Sequence, residues 1–373
     1  MRRVIAAMSG VAFVVAGVAV APSASAAPYT PDPNSYEPRQ TEVGAGPRGI
    51  ATFGFEGAVA SSDANTATIF NTCSRFGCEP WMIYAVGAGL QPMDVAVGDG
   101  PQTHRVYVTN PTLGALTVIP YRSGYLDPNL QPAIVPIGGE PTGVALSPDS
   151  VWAYVADKAT DSLIFVDAPT LSVVQSVPVG ADPWGVAASP DGRYVYVVST
   201  AGGVVSVLST TTRTLVATIP VGHSPGEVAI DPSGAFAYVT NNADDTVSLI
   251  DTATWKVVAT IPVGNQPWGV GATATHAFVA NFGSGTVSVV DTARREVVAT
   301  IRTGVNPFGV AIVGHQQRAG VQLRVQHRVG HPPECCGAVS RVVVREEGTS
   351  DQRSGWRQSG SCVFHRCQEG VGE

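Results

Sequence analysis

Lysine is almost missing from this chain. Lys158 and Lys256 are the only two in 373 residues, and charged residues of all kinds make up 14%. Residues 27–314 carry 12 Lys/Arg against 23 Asp/Glu, a net −11. An acidic body with no basic run repels a phosphate backbone, so no nucleic-acid partner is expected. Cysteine is scarce too: before residue 315 only Cys73 and Cys78 occur. No Cys-x-x-Cys-His attaches a haem, no Gly-x-Ser-x-Gly elbow presents a nucleophile, and no glycine-rich loop opens a helix to cradle phosphate. Long apolar runs are absent after the first two dozen residues, so no later segment reads as a membrane-spanning helix.

The first residues read as an export signal, 1–26. Arg2 and Arg3 precede an apolar run from Val4 to Ala21, and Ala24-Ser25-Ala26 offers a cleavage site. A secreted or cell-envelope location follows, with no transmembrane anchor after cleavage. Residues 27–40 form a Pro-rich linker. In an oxidising compartment Cys73 and Cys78 are expected to close a small loop disulfide.

Glycine (41) and proline (28) are abundant, and they fall into register. Gly138, Gly180, Gly222, Gly264 and Gly304 open a recurring phrase at intervals of 42, 42, 42 and 40 residues. Each phrase runs Gly-x-x-Pro, a short apolar strand, a tight turn, then a strand of the type Tyr-Val-x-Asn. The opening prolines are Pro47, Pro92, Pro141, Pro183, Pro225, Pro267 and Pro307. Alternating apolar residues and turns such as SPDG (189–192) divide each unit into four strands. Asp167, Asp251 and Asp291 are placed to cap the turn from third to fourth strand. The expectation is all-β: a seven-bladed propeller of four-stranded antiparallel blades over 41–314, its last blade degenerate or disrupted. Thr41–Val43 would supply the outer strand of that last blade.

The literal sequences Tyr107-Val108-Thr109-Asn110 and Tyr238-Val239-Thr240-Asn241 resemble the YVTN-repeat β-propeller family, as do the looser copies at Tyr154–Asp157 and Phe278–Asn281. The resemblance covers about 43–312. It implies a secreted, periplasmic or surface-layer protein. Relatives by fold include lactonases and cofactor-bearing oxidoreductases, so it implies shape and location more than chemistry.

After Val313 the pattern stops. Residues 315–373 hold four of the six cysteines and no lysine. Back-translated and read one base later, residues 321–332 accommodate Phe-Val-x-Asn and Ser-Gly-Thr, in the order of the blade phrase at 277–289. This points to an aberrant tail, a frameshifted seventh blade.

Breaks in the repeat mark candidate function. Two places past the opening proline most copies have glycine, but two have Asp94 and Glu227. Facing each other across a channel, these would hold a divalent cation or act as acid and base, with His223 as a third catalytic candidate; solvated carboxylates at a channel mouth are the alternative. No other cofactor is expected. One place past the proline, Met93, Trp184, Trp268 and Phe308 would form a rim for a sugar or flat ligand, or pack between blades. Two functions fit. One is an exported binding scaffold whose loops contact protein or glycan, without catalysis. The other is a lactonase-like hydrolase with a carboxylate or metal site in its channel.

Overall fold

The computed structural model describes residues 45–53, 56–71, 81–99, 104–122 and 131–314, together with strands at 14–16, 40–42, 321–327 and 338–340. Cys73 and Cys78 lie outside the described residues, as do most of the export signal, the linker and most of the tail. Among the described residues the structure is strand and turn apart from one short 3-10 turn, Pro111–Leu113. No helix there is long and apolar enough to cross a membrane.

Each repeat folds into a four-stranded antiparallel sheet. In the third blade the strands are Pro141–Leu146, Trp152–Asp157, Ser162–Asp167 and Ser172–Pro178, paired in sequence order. Two middle strands in each blade are buried on both faces, which is why they read as nearly continuous Val, Ala and Ile rather than as clean alternation. The apolar clusters straddle neighbouring blades: Tyr107 and Leu116 of the second pack with Val144 and Val155 of the third. A blade therefore buries its faces only against its neighbours, each buried valine contributing about 1.5–3 kcal/mol. The expected caps are present: Asp167, Asp251 and Asp291 each accept a backbone N–H three residues on, at 2.8 Å.

The blade number needs correction. Among the described residues six four-stranded blades are present, not seven. The seventh place in the ring is taken by Pro307–Gly314, which packs between the first strand of the sixth blade, Pro267–Ala272, and that of the first, Pro47–Phe53. Thr52 Oγ1 donates to the Ile312 carbonyl at 2.8 Å and ties the two ends together. Pro307–Gly314 is the innermost strand of a five-stranded mixed sheet, not of a blade. Val321–His327 pairs antiparallel to it, and Val14–Ala16, Ala338–Ser340 and Gln40–Glu42 follow outward. The N-terminal strand does reach the outer edge, but as a fifth strand. The reason lies in the sequence after Val313, which no longer carries the paired apolar strands and tight turns from which a blade is made.

Candidate functional site

In five of the six blades the first strand carries a defect at its start; in the second, Met93 and Asp94 hold the equivalent places just before strand Val95–Asp99. Ladder pairing slips between the opening proline and the residue three places on: Pro47/Ile50, Pro141/Val144, Pro183/Val186, Pro225/Val228 and Pro267/Val270. The two residues between are bulged out of register. A bulge re-aims side chains, and at these places Arg48, Trp184, Glu227 and Trp268 line a central cavity. The loop before it is clamped. Gln91, Asp182 and Gln266, each just before its proline, adopt left-handed φ of 50°, 56° and 49°. That conformation costs roughly 1 kcal/mol for a non-glycine residue. It is offset by side chains of the preceding blade: Asn65, Asp161 and Asp245 accept the N–H of Gln91, Asp182 and Gln266 at 2.7–2.8 Å.

The first bulged position is occupied in turn by Arg48, Met93, Thr142, Trp184, Gly226, Trp268 and Phe308. The four candidate rim residues all line one central cavity of about 390 Å³. Trp184 and Trp268 meet edge to face at 5.4 Å between ring centroids, and Trp268 lies 5.1 Å from Phe308 at a 31° tilt. Gly226, between the two tryptophans, has no side chain to part them. The rings thus form a connected arc over the fourth to seventh places. The arc is contact between neighbouring strands and cavity wall at once.

The second bulged position supplies Asp94 and Glu227, and both line the same cavity. They come from the second and fifth blades, on opposite sides of the axis. Asp94 Oδ2 accepts the Val144 N–H of the next blade at 3.0 Å, and Glu227 Oε1 accepts the Val228 N–H at 3.2 Å. Each keeps some exposure to the channel while protein surrounds it otherwise. Burial pushes the Asp94 carboxyl above the usual carboxylate range, against the pull of the Val144 and Val95 N–H groups. Burial pushes Glu227 up further, and the charge of Asp94 adds to it. The pair therefore holds a proton at pH values where a solvated carboxylate has none.

Two threonines hold these acids in place. The Asp94 N–H donates to Thr109 Oγ1 and the Glu227 N–H to Thr240 Oγ1, both at 3.0 Å. Each hydroxyl then donates onward into the next blade, Thr109 to the Thr142 carbonyl at 2.6 Å and Thr240 to the Trp268 carbonyl at 2.7 Å. Thr109 and Thr240 are the third residues of the two literal Tyr-Val-Thr-Asn strands. Blades with glycine at the bulge have Ala60, Ala156, Val198 or Ala280 instead. The sequence held this signal, as threonine accompanying each acid, but it went unread. Arg48 gives no comparable signal, because a lone arginine beside an opening proline looks like an ordinary surface charge in the sequence. It lines the cavity beside Met93, with Nε donating to Ser62 Oγ at 3.3 Å and a guanidinium N–H 3.6 Å from the Met93 sulfur.

His223 does not join the acids. Its side chain is 85% exposed, and Nδ1 lies 2.9 Å from Asp244 Oδ1, outside the cavity lining. No group of three His, Cys, Asp or Glu that could hold a metal ion occurs among the described residues. The site thus offers an aromatic wall, two opposed acids that burial keeps above the usual carboxylate range, and one guanidinium.

A family model described as YNCE-like beta-propeller matches residues 227–318. None of the curated proteins compared with the chain matches it in sequence. Among solved structures the chain is similar to hydrazine synthase of Kuenenia stuttgartiensis, at 19% identity and a TM-score of 0.63, over 76% of this chain and 93% of that one. It is similar to virginiamycin B lyase of Staphylococcus aureus, at 10% identity and TM-score 0.61, over 82% and 99%. It is also similar to a putative 6-phosphogluconolactonase of Bacteroides uniformis, at 16% identity and TM-score 0.59, over 69% and 85%. At such identities the likeness carries the β-propeller fold and no activity.

Proposed function

We propose that this protein is an exported, non-catalytic binding propeller that receives a glycan at the bulged end of its central channel. The observation that carries the reading is the joining of the Trp184–Trp268–Phe308 arc to two polar acids in one concavity. The C–H face of a sugar ring stacks on indole, and its hydroxyls donate to carboxylates. Convergence of these groups inside a cavity favours a glycan over a protein partner, which would need a flat contact on the loops. The leader-like N-terminus supports a cell-envelope or secreted setting. Titration with soluble glycans, followed by tryptophan fluorescence, tests the reading. A saturable change that Trp268→Ala abolishes is expected; no change with any glycan would refute it.

A second reading, a lactonase-like hydrolase, rests on the carboxylate pair. With one acid protonated and the other ionised, the pair could donate a proton to a leaving oxygen and accept one from water. Turnover of simple lactones, lost in both Asp94→Asn and Glu227→Gln, would establish this reading over the first.

A further inference from the structure

Taking the binding reading as its basis, we propose that the ligand is an organic cation: an amine-bearing saccharide whose ammonium group sits between Asp94 and Glu227 while its apolar face lies on the aromatic arc.

The charge balance of the cavity leads there. Its titratable lining groups are Arg48, Asp94 and Glu227. Arg48 belongs to the first blade and is bound to Ser62 and Met93 beside it. With both acids ionised the lining carries one more negative charge than positive. A neutral sugar would leave that excess in place, in a cavity walled by low-dielectric side chains. An ammonium group on the ligand removes it.

The arrangement around Glu227 points the same way. Trp184 and Trp268 stand at the bulges of the two neighbouring blades, on either side of the Glu227 strand, and meet across Gly226. An ammonium group at Glu227 would therefore lie between two indoles, close to the ring surfaces on which cation–π attraction acts. The Glu227 side chain is directed over the fourth blade: a Cβ on Gly185 would come within 2.6 Å of Oε1. It stays there because Thr240 grips its backbone. The Trp268 indole N–H is buried without a hydrogen-bond partner. Burial holds protons on the two acids, and an arriving cation takes over their role. Binding then releases protons, and affinity rises with pH through the range in which the pair titrates.

Two isosteric probes test this: the β-1,4-linked glucosamine disaccharide and cellobiose, titrated calorimetrically into the full chain below pH 7. The diamine is expected to bind about tenfold more tightly, with proton release seen as a buffer-dependent heat. In Asp94→Asn/Glu227→Gln the two affinities should fall within about twofold of each other. Trp268→Ala should weaken both probes. Equal affinity of the probes for the wild-type protein overturns the cation inference and leaves glycan binding standing. A preference that survives in the double variant also overturns it. Absence of heat and of fluorescence change with either probe overturns both readings. The double variant keeps the size of both side chains, and its thermal unfolding checks that it is folded.

Discussion

The second strands of the blades and the bulges that face the channel are built on opposite terms. The second strands vary little. Their fourth residue is Asn110, Asp157, Ser199, Asn241 or Asn281, and every one is fully buried or nearly so. In Asn241 the amide donates to Thr246 and Ser248 and accepts the Gly222 N–H, and Asn281 repeats this with Thr286, Ser288 and Gly264. The residue stitches the second strand to the third and to the incoming loop. The bulges do vary, from glycine to carboxylate and from tryptophan to arginine. The repeat is kept where it holds the blade and broken where it meets the cavity.

Substitution can break this contrast. The largest loss is expected from Asn241→Ala, which orphans the Gly222 N–H and two hydroxyls inside the blade. A cost of about 2–4 kcal/mol should appear in denaturant unfolding. A cost below that of an ordinary surface change would show that the strand is not held by its amide.

Gly143→Ala should come next. A Cβ there would lie 2.0 Å from the Trp184 carbonyl oxygen, which is backbone and cannot rotate away. About 1–3 kcal/mol is expected, whereas exposed Gly87, with nothing within 4 Å, should accept alanine without loss. If both glycines respond alike, close packing at the bulge is not what keeps glycine there.

A smaller effect of opposite sign is expected for Asp94→Asn/Glu227→Gln. Burial, and for Glu227 also the charge of Asp94, raises both carboxyls above their unfolded values. The folded state then binds protons more tightly than the unfolded one. The stability this lends is complete below about pH 4, where the unfolded carboxyls titrate, and is lost as pH rises through the elevated folded range. The variant lacks that decline. Its Tm should exceed the wild type's by about 2–6 °C at pH 8–9, and the gap should close toward pH 4. A gap that is constant with pH would mean that the two acids are not desolvated.

Much of this was legible in the chain. The 42-residue interval gave the four-stranded unit, because Tyr-Val-x-Asn and the Pro-Asp-Gly turns each require one backbone geometry. Seven opening prolines suggested seven blades, yet a proline marks only a first strand. Pro307 starts an inner strand that takes its place in the ring, and the sequence beyond Val313 supplies no blade behind it. Asp94 and Glu227 stood out as departures from glycine, and the structure brings both to the cavity. The bulge at Glu227 was not legible, since it arises from pairing between strands rather than from local composition. Arg48, Thr109 and Thr240 gain their meaning only from the neighbours that the folded blades give them.

The smallest effect should come from His223, the sequence candidate that the structure sets apart. Its ring is exposed, and its partner Asp244 is held below the usual carboxylate range first by the His223 backbone N–H at 2.7 Å and then by the ring. The backbone bond survives replacement of the side chain. Exposed ion pairs contribute little, so His223→Ala should shift Tm by about 1 °C at most. The loop itself, with Ser224 in a left-handed conformation and Pro225 paired to Asn241, should keep its shape. Glycan affinity should therefore match the wild type in the fluorescence titration. A clear loss of affinity with an unchanged Tm would extend the site outward from the cavity to the loop, and the line drawn here between blade frame and channel would have to move with it.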